Sequence, residues 1–148
     1  MKVCVLESGS SGNSTYIETD NYKILIDVGK NKKYIVNALE QIGVDYKDID
    51  YVFLTHSHDD HTSALKTFLK NHKAILVITK PMFLELKDTE DLNNILIYED
   101  EISISKLDIQ ALKMSHDTND IRSFIISEND KSFAYITDTG YINSKYYK

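Results

Sequence analysis

Arginine is almost missing from this chain. Arg122 is the single arginine among 17 basic residues, and 23 acidic residues set the formal net charge at −6. A chain so balanced lacks the basic face that drives non-specific nucleic-acid binding. A nucleic-acid substrate is not thereby excluded, because bound cations bring local positive charge of their own. The lone cysteine, Cys4, excludes an internal disulfide; within an apolar segment it reads as a small core residue, not a thiolate ligand. The absence of cysteine pairs, and an N-terminus too poor in apolar residues for a secretory h-region, predict a cytoplasmic protein. No apolar run approaches the roughly 18 residues that would span a bilayer, so no membrane segment is expected. No internal repeat, low-complexity linker or domain boundary interrupts the sequence, and residues 1–148 read as one domain.

Against these absences stands one local excess. Three of the five histidines fall in Thr55-His56-Ser57-His58-Asp59-Asp60-His61, directly after the apolar run Tyr51-Val52-Phe53-Leu54. Neutral imidazole is the commonest zinc ligand among side chains, and carboxylate oxygen is its usual companion. A solvated polar turn gains nothing from His-x-His spacing, so this loop is read as a metal site. His72, between Asn71 and Lys73, belongs to no motif and reads as a surface histidine. The clusters Lys30, Lys32, Lys33 and Lys66, Lys70, Lys73 read as solvated helix faces.

Period-two and continuous apolar segments predict strands at Val3–Leu6, Thr15–Glu18, Lys23–Asp27, Ile49–Leu54, Ile75–Ile78, Ile95–Tyr98, Ile102–Ile104, Ile109–Met114, Phe124–Ile126 and Phe133–Ile136. The first is expected to be buried, and the first three to form an antiparallel meander. Tyr34, Ile35, Ala38, Leu39 and Ile42 repeat at helical spacing up to Gly43. Thr62 or Ser63 is placed to cap a helix carrying Leu65, Phe68 and Leu69, and Pro81 to open a short helix through Leu86. The Ser8–Ser14 turn, with two glycines, is expected to leave several N–H groups for a substrate anion, or simply to close the sheet edge. Strands interspersed with helices give the class α+β, a layered α/β arrangement. The polar clusters at 55–61, 115–117 and 137–140 each follow a predicted strand, so they should converge on one sheet edge.

His56-x-His58-x-Asp60-His61 resembles the signature of the metallo-β-lactamase fold hydrolases. Gly9-Ser10-Ser11-Gly12-Asn13-Ser14, Leu25-Ile26-Asp27-x-Gly29, Ser115-His116-Asp117 and Thr137-Asp138-Thr139-Gly140 follow in that family's order. Their wording resembles the WalJ/YycJ-like branch, cytosolic bacterial members associated with DNA exonuclease activity. The resemblance implies an αββα sandwich and two adjacent cations. His56, His58 and His116 would hold the first, and Asp60 and His61 the second, with Asp138 bridging. Asp27 would orient a ligand imidazole. Zinc is the implied cofactor, one or two per chain, with manganese as the alternative; His58 stands where diiron relatives carry glutamate, which argues against redox chemistry.

The family's full pattern continues beyond the Asp138 region and supplies a further histidine to the second metal. The chain is therefore expected to represent a C-terminally incomplete sandwich, its N-terminal portion, with a homo-oligomer or another partner covering what is open. The function implied is metal-dependent hydrolysis, a phosphodiesterase or DNA exonuclease-like reaction in which a metal-bound hydroxide attacks and Asp60 positions it. β-Lactam hydrolysis is disfavoured by the cytoplasmic expectation. The competing expectation is a catalytically impaired metal-binding module that needs a partner or the missing half.

Overall fold

A computed structural model of the chain describes residues 1–114 and 120–136. It contains a six-stranded sheet in the order β1 (Lys2–Glu7), β2 (Ser14–Glu18), β3 (Lys23–Ile26), β4 (Tyr51–Phe53), β5 (Ile75–Thr79), β6 (Ile95–Tyr98). A four-stranded sheet follows, built from β7 (Glu101–Ile104), β8 (Leu107–Lys113), β9 (Arg122–Glu128) and β10 (Lys131–Tyr135), neighbours in chain order. In the first sheet β1, β2 and β3 are antiparallel, as expected of a meander, whereas β3, β4, β5 and β6 run parallel. The second sheet is antiparallel throughout.

The parallel strands are apolar on both faces because both faces are covered. Leu25, Val52, Leu54, Leu76 and Ile78 point into one core, with Ile35 and Leu39 of α1 (Lys32–Gln41), Leu65 and Phe68 of α3 (Leu65–Leu69) and Met82 of α4 (Lys80–Glu85). Their neighbours Ile24, Ile26, Phe53 and Val77 point the other way and meet Ile102, Ile109, Phe124 and Ile126 of the second sheet. A side-chain period of two thus divides each strand between two cores. The described residues form three layers, helices on sheet on sheet; a second helical layer is not among them.

Local chemistry sets the helix ends. Asn31 caps α1 by accepting from the Tyr34 N–H, and Gly43, at φ +78°, ends it in the left-handed region that glycine enters at least cost. Thr79 caps α4, with Pro81 in its first turn. Two expectations give way here. Residue 64, an alanine without a side-chain bond, precedes α3, so neither Thr62 nor Ser63 is its cap. Their hydroxyls bond instead to the carbonyls of Ser57 and His58 and of Lys30. Strand β1 is also not buried: it is an edge strand with Val3 and Val5 exposed, and Cys4 is half-buried against the helix-side core.

Candidate metal centre

The centre lies where the parallel strands β3 and β4 end side by side, the usual place for a ligand site in an open α/β sheet. Their register pairs Ile26 with Phe53, so the residues beyond, Asp27 and Leu54–His56, emerge together. Three loops are sewn to one another at this point. Asn13 N–H donates to the Asp60 carbonyl (2.7 Å), Gly29 N–H to the Asn13 carbonyl (2.9 Å) and Val28 N–H to the His61 carbonyl (2.9 Å). Gly29 permits this closeness: a Cβ there would stand 2.0 Å from the Asp60 carbonyl oxygen and 2.5 Å from the Asn13 nitrogen.

Asp27 is fully buried and takes φ +64°, a left-handed turn that aspartate tolerates better than most residues. Three donors converge on its carboxylate: Thr55 N–H (2.8 Å), the Thr55 hydroxyl (2.7 Å) and His61 Nδ1 (2.5 Å). Burial pushes this carboxyl above its ordinary value, while the bonds from His61 and Thr55 pull it down. When ionised, Asp27 can only accept, and His61 then carries its proton on Nδ1 and its lone pair on Nε2. The Thr55 hydroxyl, having donated to Asp27, accepts from His56 Nδ1 at 2.9 Å, which likewise leaves the lone pair of His56 on Nε2.

The ligand atoms of buried His56, exposed His58 and half-buried Asp60 all lie within 4.8 Å of one another, close enough for one cation. The rings of His56 and His61 are 4.0 Å apart, centroid to centroid, and Asp60 Oδ2 is 3.3 Å from His61 Nε2. Two imidazoles and a carboxylate form a donor set that zinc and manganese accept. The structure therefore brings together His56, His58, Asp60, His61 and Asp27, and it places Asp60 beside both groups of histidines. His116 and Asp138 lie outside the described residues. The strand before His116, β8, ends at Lys113, and Asp138 follows β10.

Some of what matters here was not read from the sequence. Four amides of the Ser8–Ser14 turn are used within the protein: Ser8 N–H bonds Glu7, Gly9 N–H bonds Asn13 Oδ1, and Gly12 and Asn13 N–H bond the carbonyls of Gly9 and Asp60. The turn closes the sheet edge over the histidine loop. Arg122 is buried, paired with Asp120 at 3.0 Å and set over the Tyr98 ring; its N–H bonds the Thr55 carbonyl (2.8 Å) and ties the second sheet to the site. His72 is not a plain surface residue: Nε2 meets the Tyr46 carbonyl at 2.7 Å and Nδ1 accepts from Ala74 N–H at 2.9 Å. Thr55 had one readable signal, its place immediately before the first histidine; Asn13 and Gly29 sat in quoted motifs, but their contacts are long-range.

Residues 8–108 match the family model described as Metallo-beta-lactamase superfamily. The chain is 29% identical over 151 aligned residues to exodeoxyribonuclease WalJ of Streptococcus pneumoniae serotype 2, a match covering 97% of this chain and 56% of that protein. It is 25% identical to exodeoxyribonuclease YycJ of Bacillus anthracis, over 95% of this chain and 55% of that one. Among solved structures, a metallo-beta-lactamase from Cronobacter sakazakii superposes with a TM-score of 0.73 at 17% identity, covering 90% of this chain and 60% of that chain. At that identity the likeness is one of fold. The chain spans a little over half the length of the two curated relatives.

Proposed function

This chain belongs to the metallo-beta-lactamase superfamily, and on that premise we propose that it is a divalent-cation-dependent phosphodiesterase of the exonuclease kind, cytoplasmic, with residues 1–148 forming the N-terminal portion of one such domain. The observation that carries the proposal is the His56, His58 and Asp60 cluster, with the His56 tautomer set for ligation by Thr55. The names of the two curated relatives support the substrate class. In this reading His56, His58 and His116 would hold a first zinc or manganese ion, Asp60 and His61 would hold a second, and Asp138 would serve both.

The bound cations would supply an activated water at neutral pH and neutralise the charge of a phosphodiester. The chain's own residues do the rest. Asp27 orients His61, and Thr55 orients His56, so that both imidazoles present lone pairs without rotating. Asp60 would position the attacking water and take up its proton. No helix among the described residues is long and apolar enough to cross a membrane. The cleft between α2 (Asp59–Thr62) and α4 sets Asp59, Glu85 and Asp88 against Lys66 and Lys87, so it gives a polyanion no net attraction. Affinity for nucleic acid in this reading rests on the cations; a homo-oligomer or covering partner belongs to the same proposal.

The test pairs elemental analysis of the purified chain with cleavage of bis-p-nitrophenyl phosphate and of DNA ends. Metal-dependent turnover that His58→Ala abolishes is the expected result. Metal uptake with no cleavage of any phosphodiester would leave a metal-binding module instead, and no uptake at all would remove the metal centre from the account.

A further inference from the structure

The Asn13 side chain reaches from the Ser8–Ser14 turn into the middle of the second group of ligand-type residues. Its Nδ2 lies 3.0 Å from Asp60 Oδ2 and 3.3 Å from His61 Nε2, and it also donates to the Gly9 carbonyl (2.9 Å) and approaches the Asp60 carbonyl (3.4 Å). Its Oδ1 accepts from Gly9 N–H at 3.2 Å, which fixes the amide so that nitrogen, not oxygen, faces the site. With Asp27 ionised and holding the Nδ1 proton, His61 can only accept on Nε2. A donor group therefore sits between two acceptors, Asp60 Oδ2 and His61 Nε2, that are themselves 3.3 Å apart. A cation shared by those two atoms needs the same place, and an amide nitrogen bearing hydrogens cannot ligate it.

We propose that the Asn13 carboxamide is a positioning residue that stands in for the second cation: it holds Asp60 and His61 together in the metal-free chain and must turn away when that cation enters. This rests on the two-cation reading above. It makes the second site harder to fill than its ligands alone would dictate. The backbone of Asn13 takes no part in the exchange, since its N–H and carbonyl are held by Asp60 and Gly29.

The test is a zinc titration of the full chain against a chromophoric chelator, for wild type, Asn13→Ala and Asn13→Asp. The first equivalent is expected to bind alike in all three. The second binds about tenfold tighter in Asn13→Ala, the worth of one lost hydrogen bond to a charged oxygen. It binds tighter still in Asn13→Asp, which keeps the acceptor for Gly9 and replaces the donor by an oxygen. If Asn13→Ala fails to fold, Asn13→Asp alone decides. A second equivalent that is unchanged or weaker in the variants overturns the stand-in role. So does uptake of one zinc only by wild type and both variants alike, although the first site then survives; a chain that takes up none overturns the metal centre itself.

Discussion

The two ends of the parallel strands use the same residue types for different work. At the site end, Asp27 is fully buried and gathers Thr55 and His61; at the other, Asp50 is partly exposed, accepts from Lys23 N–H at 2.8 Å and pairs with Lys73 at 3.2 Å. Each end also has a histidine. His72 gives both ring nitrogens to the backbone, to Tyr46 and Ala74, and is thereby used up as a structural bracket. His61 gives one nitrogen to a buried carboxylate and turns the other toward Asp60 and Asn13. In the proposed reading, what separates a ligand from a bracket is where the second nitrogen points.

The hardest way to break the comparison is through the backbone. Gly29→Ala places a methyl within 2.0 Å of the Asp60 carbonyl, so one of three sewn loops must move. A loss of several kcal/mol is expected, with the chain failing to take up metal. Gly43→Ala, at the opposite end, meets open space and only the strain of φ +78°, about 1 kcal/mol. Thermal unfolding and elemental analysis of both variants check this. Equal effects would mean that close packing at Gly29 is not what builds the site.

The next contrast is between the two aspartates. Asp27→Asn leaves a group of the same shape whose amide cannot accept at both oxygens, so His61 loses its fixed tautomer. Zinc affinity is expected to fall roughly 10–100-fold, the usual cost of removing a ligand's supporting carboxylate. Asp50→Asn should leave it unchanged. Chelator competition on the two variants would settle the matter, and a drop in both would show that the ends of the sheet are coupled.

These contrasts also mark what could be read from the sequence. The histidine loop and the continuous apolar strands were legible because their signals are local: His56, His58, Asp60 and His61 fall close together in one short stretch, and Leu25 lies between Ile24 and Ile26. Strand β1 was misjudged because Val3-Cys4-Val5-Leu6 is as apolar as a central strand, and only its pairing with β2 alone reveals an edge. His72 was misjudged because its partner Tyr46 stands 26 positions away. Arg122 has a partner close by in Asp120, but its tie to Thr55 was hidden, since a backbone N–H makes that bond across to another element. Reach along the chain, not residue type, divides the legible from the hidden.

His72 sharpens the distinction from its own side. His72→Ala removes an acceptor from Ala74 N–H and a donor from the Tyr46 carbonyl, and it uncovers the Phe68 ring that His72 stacks on at 5.1 Å. About 1–2 kcal/mol of stability should go, with zinc uptake untouched. His58→Ala should do the reverse, since His58 is exposed and its ring serves the cluster. Denaturant melts and metal analysis on the same two samples would test both halves. Loss of metal in His72→Ala would erase the line between bracket and ligand.

The smallest effect concerns how the two sheets are joined away from the site. There Glu128, at the end of β9, accepts from Asp20 N–H at 2.6 Å and Asn21 Nδ2 at 3.1 Å across the seam. Burial alone would raise this carboxyl, but the bonds from Asn21 and Asp20 outweigh it and hold the group below its ordinary value of 4.5. A lowered folded value means that the unfolded chain binds the proton more readily. The contribution is therefore complete above about pH 4.5, fades below it, and is gone once the pH has fallen through the folded value. Glu128→Gln should cost about 1 kcal/mol at neutral pH, and its difference from wild type should shrink as the pH drops below 4.5. The site-end seam, made by backbone from Arg122 to Thr55, contains no carboxylate in its bond and should show no such fading. A Glu128→Gln difference that stays constant down to pH 3 would mean that the far seam, too, is held by packing and not by charge.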